Sequence, residues 1–190
     1  ITTANNNVHP PGYEGRPVFY HSSRGIETSR ITRLHEIFRS EKRLSVEDHK
    51  QVQHDAYSLR AERDIPAFQG WTSGNSDLEW ARSLLAEWDA NLTRESTAAA
   101  IYVRWSDEVD ETIWDLGTSI ATDERRNLIE QGLAAALERL TSELGADRSE
   151  WRHGRVHLSQ LPHMIASAFD LPAVERPGGF GTVNATGANF

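Results

Sequence analysis

The sequence predicts a mainly α fold with short extended segments at both ends. Apolar residues recur every three or four positions through the middle of the chain, about 26–147. Glycine, proline and asparagine crowd the flanks, 1–25 and 148–190. No internal repeat interrupts this plan, so the expected organisation is strand and loop, a helical region, and a return to extended chain.

Ile1-Thr2-Thr3 begins as a strand, and Asn5, Asn6 and Asn7 then break it, because asparagine is a poor strand former. Residues 8–25 follow as a long irregular loop, the kind usually functional or well anchored. Ile31, Leu34 and Phe38 form the first helical stripe, with Thr28 or Ser29 able to cap it. "SVED" at Ser45 to Asp48 has the form of a capping box and predicts one helical segment to about Arg63, carrying Val52, Ala56 and Leu59 on one face, with Pro66 as its stop. The boundary cluster "GWTSGNSD" precedes a stripe of Leu78, Ala81, Leu84, Leu85 and Trp88. A further helix is expected from about Glu95 to Leu116 through Ile101, Trp105, Val109 and Ile113, stopped by Gly117. Thr122 then caps a helix bearing Leu133, Leu137, Leu140 and Leu144, which ends at Gly145. Beyond it, "WRHGRVHLSQLPH" and "RPGGFGTVNATG" hold short β-prone pieces between turns.

Composition narrows the function. A chain of 190 residues can bury roughly 70% of its unfolded surface, enough for a real core. With 28 acidic against 20 basic residues the net charge is -8, and the basic residues form no block, so a nucleic-acid partner is not expected. The longest apolar run, Ala98 to Val103, is far too short for a bilayer, and no membrane span is expected. Absence of cysteine removes disulfides and thiolate nucleophiles. The chain starts without Met or a secretory signal, which suggests trimming, processing or excision from something longer.

His153 and His157 are spaced i, i+4, with His163 following, which resembles a zinc-binding helix. Gly154 stands where a zinc hydrolase needs its glutamate, and glycine weakens the helix, so structural hydrogen bonding is the favoured role. No G-x-S-x-G, Walker or dinucleotide fingerprint occurs, although "GGFGTVNATG" is glycine-rich. Trp88 and Trp105 lie on apolar stripes and favour packing over ligand stacking. Asn5 is open to two readings: a turn residue, or a carboxamide whose NH2 meets an oxyanion.

The pieces "TANN" (Thr3 to Asn6), "SRITRLHEIF" (Ser29 to Phe38), "LSVEDHKQVQHDAYSLRA" (Leu44 to Ala61), "LLAEWDANLTRESTAAAIYVRW" (Leu84 to Trp105), "WRHGRVH" (Trp151 to His157) and "PGGFGTVNA" (Pro177 to Ala185) resemble, in order, the penicillin acylases (penicillin amidases) of the N-terminal-nucleophile hydrolase superfamily. The resemblance implies that the chain is the helical portion of a larger α+β enzyme, an αββα sandwich, and a fragment of its β-chain. It implies an amide hydrolase whose nucleophile is an N-terminal serine created by autoproteolysis, acting on a small-molecule N-acyl substrate such as the side-chain amide of a β-lactam antibiotic. It also implies the catalytic residues Asn5, as oxyanion donor, and Arg30 beside it.

Ile1 cannot be that nucleophile, so the serine is expected upstream of Ile1, with the α-chain and the N-terminal part of the β-chain as partners and the 190 residues inactive alone. A periplasmic or extracellular location follows from the resemblance only. Calcium is the cofactor the family suggests, but the loop 8–25 contains no aspartate and Glu14 is its only acid, so the usual ligand is unmatched. The alternative is a self-contained helical binding or interaction module without catalytic activity.

Overall fold

A computed structural model describes residues 29–39, 43–109, 123–179 and 181–185. Among these are seven α-helices, three 3-10 turns and one two-stranded antiparallel sheet. The mainly helical expectation holds. The strand at Ile1, the Asn5 to Asn7 run, the loop with Glu14, and Ile113, Leu116, Gly117 and Thr122 lie outside the described residues.

Helix α1 (Ser29–Phe38) buries Ile31 fully, while Leu34 and Phe38 stay half-buried. α2 (Val46–Gln53) opens on the expected capping box: the Ser45 hydroxyl accepts from the Asp48 N–H, and the Asp48 carboxylate accepts from the Ser45 N–H at 2.7 Å. The single helix predicted to Arg63 is in fact two. α2 stops at Gln53, and α3 (Leu59–Asp64) restarts from Ser58, whose hydroxyl caps the Ala61 N–H. A local Asx-type bond and long-range partners together make the break. Asp55 folds its carboxylate back onto the Tyr57 N–H (2.9 Å), Tyr57 bridges to Asn91, and Ser58 donates its N–H to the Ala90 carbonyl (3.0 Å). These bonds replace the helical ladder there. Pro66 then sits at the start of a 3-10 turn, Ile65–Phe68, where its missing N–H costs nothing.

α4 (Ser76–Ala86) starts at Asn75, which accepts from the Asp77 and Leu78 N–H groups. α5 (Thr97–Glu108), capped by Ser96, is the centre of the fold: Ala98 to Tyr102 and Trp105 are all buried. α6 (Asp123–Leu144) lies along it and buries Ile129, Leu133, Ala136, Leu137 and Leu140. Gly132 permits this approach, since a Cβ there would stand 2.5 Å from Val109 Cγ2 and 3.1 Å from Trp105 Cδ1. Gly145, at φ +90°, ends α6 as expected. Phe68 meets Trp105 edge to face, with ring centroids 4.8 Å apart, so Trp105 is core.

After the 3-10 turn Arg148–Glu150 comes the one-turn α7 (His153–Val156), then a hairpin of β1 (Leu158–Leu161) and β2 (Leu171–Glu175). Leu158 pairs with Glu175 and Leu161 with Leu171. Its connection includes the 3-10 turn Ser167–Phe169 and leaves Met164, Ile165 and Phe169 exposed. No helix among the described residues is long and apolar enough to cross a membrane.

Candidate functional site

Five of the sequence pieces that carry the family resemblance meet along one seam. The glycine-rich stretch near the C-terminus runs through it as a strap. The Gly178 N–H donates to the Leu92 carbonyl (2.8 Å), and the Asn184 N–H donates to the Asp55 carbonyl (2.9 Å). Thr182, fully buried, accepts from the Gly179 N–H (3.0 Å), and its hydroxyl lies within donating distance of the Gly179 and Asn184 carbonyls (3.0 and 2.9 Å). Glycine at 178 and 181 takes φ of +76° and +91°, backbone that a side chain would strain.

His153 ties this strap to the body. Its Nε2–H donates to the Gly178 carbonyl at 2.8 Å, and the N–H groups of His153 and Gly154 bond the carbonyls of Ser96 and Arg94. His157 stacks on the same ring, with centroids 5.1 Å apart, and its Nδ1–H donates to the Arg176 carbonyl at 3.1 Å. The pair spaced i, i+4 is therefore used for structural bonding. His163 sits apart in the hairpin connection, where its Nδ1 accepts from the Ile165 N–H. Burial pushes the His153 imidazole down to about 4, so the ring is neutral at pH 7 and serves as a fixed donor. A cavity of about 500 Å³ opens beside it, walled by Leu92, Tyr102, Arg104, Asp107 and His157.

α1 docks on the other side of the strap. The Ser29 hydroxyl donates to the Gly181 carbonyl at 2.9 Å across 152 residues of sequence. One turn on, Arg33 gives Nε and Nη2 to an Asp55 oxygen, both at 3.0 Å, and its guanidinium lies 4.5 Å from the Tyr57 ring centroid. Burial, reinforced by Glu62, pushes the Tyr57 phenol up to about 12, so it stays protonated beneath that cation.

A family model described as penicillin amidase matches residues 1–190. The chain belongs to the penicillin amidase family. No curated protein matches it.

Of the site residues expected for a penicillin amidase, Arg30 stands in the first turn of α1, half-buried, between the two anchors Ser29 and Arg33. Asn5 lies outside the described residues, as does the loop with Glu14; among the described residues no group of three or more His, Asp or Glu is placed to hold a metal ion. The loop 8–25 holds no aspartate, so the calcium ligand that the family resemblance implies is not matched there. Sequence reasoning missed the strap. Its signal was the run of glycines in "PGGFGTVNA" together with Ser29, which looked like a cap for its own helix.

Proposed function

We propose that this chain supplies the oxyanion-stabilising part of an N-terminal-nucleophile amide hydrolase. Membership of the penicillin amidase family over residues 1–190 carries the reading, and the anchoring of α1 on both sides of Arg30 supports it.

In this mechanism a serine outside these residues, freed as a chain terminus by self-cleavage of the precursor, attacks the carbonyl of an N-acyl substrate. Its own α-amine takes the hydroxyl proton; an α-amine titrates near 7.7 to 8.0 in isolation, close enough to neutrality for the task. The carbonyl oxygen becomes an oxyanion, and the Asn5 NH2 donates to it, which in comparable sites stabilises the transition state by about 2.7 to 4 kcal/mol. The C–N bond then breaks, the amine leaves with the proton, and water releases the acid from the acyl-enzyme. Arg30 opposes protonation of the α-amine by charge repulsion and holds the Asn5 carbonyl, so that the NH2 faces inward. The substrate is a small N-acyl compound, such as a β-lactam with an acylated amino group. The rest of the precursor is the partner, and the complete enzyme works in the periplasm or outside the cell.

The test uses the complete enzyme and a chromogenic acyl amide. Asn5→Ala lowers kcat by about 10² to 10³ with melting unchanged. Arg30→Ala moves the acidic limb of the kcat/KM profile to higher pH, because the amine loses a repelling neighbour. Full activity in Asn5→Ala, or loss of folding in place of turnover, overturns the assignment.

A further inference from the structure

We propose that Ser29 is a positioning residue for Arg30, acting through the glycine strap that His153 and Thr182 hold in place. The inference rests on the role given to Arg30 above. The bonds form a closed circuit. Ser29 donates to Gly181, the strap continues to Asn184, Asn184 donates to Asp55, and Asp55 returns to α1 by accepting from Arg33. Arg30 sits inside that circuit, one residue after the first anchor and three before the second.

Close approach is built into the first anchor. A Cβ at Gly181 would stand 2.9 Å from Ser29 Oγ, and the φ of +91° there disfavours any side chain as well. The strap end of the bond is immobilised independently. Its carbonyl at 178 accepts from a histidine 1% exposed, and the Thr182 hydroxyl closes the turn that contains Gly181. Apolar packing orients α1 less strongly, since Ile31 is its one buried residue among those described. Non-directional packing of Ile31 and the half-buried Leu34 and Phe38 sets the depth of α1 more firmly than its rotation and tilt, and those are the coordinates that aim a guanidinium.

Loss of the Ser29 hydroxyl leaves α1 helical and releases its first turn. In the complete enzyme, Ser29→Ala moves the acidic limb of kcat/KM in the same direction as Arg30→Ala, and by at least half as far. It lowers kcat about tenfold with KM within about twofold, the pattern of a misplaced group acting in the transition state. Ser29→Thr, which keeps a hydroxyl, restores the wild-type profile. The double variant Ser29→Ala/Arg30→Ala is no slower than Arg30→Ala alone, because both changes remove one effect. Should Ser29→Ala fail to accumulate folded, Asp55→Asn weakens the second anchor and produces the same shift. If Arg30→Ala leaves the pH profile unmoved, the proposed function falls. If Arg30→Ala moves it and Ser29→Ala does not, or if the two changes add in the double variant, the positioning role alone is overturned.

Discussion

Acid should loosen the strap, and the size of the effect follows from the state of one ring. His153 is 1% exposed and held down to about 4 by burial, with smaller contributions in the same direction from His157 and Arg104, while its bond to Gly178 opposes the shift. An exposed histidine titrates at 6.5. Between those values the opened form binds more protons than the closed form, so stability is complete above about 6.5 and falls as pH drops towards 4. A displacement of about 2.5 units, at 1.36 kcal/mol each, makes the loss about 3 kcal/mol. That is a large share of a domain's usual 5 to 15 kcal/mol.

Two carboxylates also bend the global curve. Burial raises Asp64, whose contribution is present at low pH and lost as pH rises through its folded value. Glu79, bonded to Arg82 and the Ser73 N–H, is held down to about 2, so its contribution is lost on acidification from about 4.5 towards 2. A local readout separates His153 from both. Native-state hydrogen exchange at the amides of Gly178 and Gly179, in the complete protein, should show the opening free energy falling by about 3 kcal/mol between pH 7 and pH 4. His153→Gln, which offers an amide N–H and no titrating ring, should show little change. An NMR titration placing the His153 ring near 6.5, with strap protection constant over this range, refutes the reasoning.

Gly132→Ala sets two effects against each other. Helix propensity favours alanine by about 1 kcal/mol, but the new Cβ meets Val109 Cγ2 at 2.5 Å and overpacking costs about 1 to 3 kcal/mol, so the melting temperature should fall; a rise would show that α5 and α6 separate easily. Tyr102→Phe removes the hydroxyl that donates to the buried Asp64 carboxylate at 2.8 Å, leaving Arg63 at 2.9 Å and Arg60 at 4.0 Å. Denaturant unfolding should register a loss of about 1 to 3 kcal/mol at neutral pH, smaller in acid where Asp64 is protonated, and equal losses at both pH values would count against this account.

Legibility in the sequence followed the range of the interactions. The capping box at Ser45, the α6 stripe and its end at Gly145 are settled by interactions within one or two helical turns, and the sequence predicts each of them. The break between α2 and α3 is not wholly local. "VQHDAYS" has acceptable helix formers throughout, and the chain leaves the helix because Asn184 bonds the Asp55 carbonyl, Arg33 takes its carboxylate, and Ala90 accepts from the Ser58 N–H. Ser29 shows the same limit: a serine before an apolar stripe signals a cap, while the bond its hydroxyl donates to Gly181 across 152 residues has no local signal. The role proposed for Arg30 comes only from the match of "SRITRLHEIF" to a family pattern, since nothing in its spacing distinguishes it from the other arginines. The anchors around it come from residues more than twenty positions away, at Asp55 and Gly181.

Stability and aim are therefore divided between two parts of the chain. The contact of α5 with α6, with Ile101, Trp105, Leu133 and Leu140 fully enclosed, is non-directional burial that tolerates small shifts in angle. A catalytic arrangement does not tolerate them: a misplacement of about 1 Å can cost 10²-fold in rate. Directional bonds are the remedy, and the seam concentrates them at Ser29, Arg33, Asp55, His153 and Thr182, each tied to a part of the chain distant in sequence or to the strap itself. Changes in the helical core should then shift melting and leave the pH dependence of turnover in place. Loss of the Ser29 or Arg33 bond should instead move the pH dependence proposed for turnover with a smaller effect on melting, because those bonds orient α1 and contribute little apolar area, whereas His153, buried under the strap, should affect both.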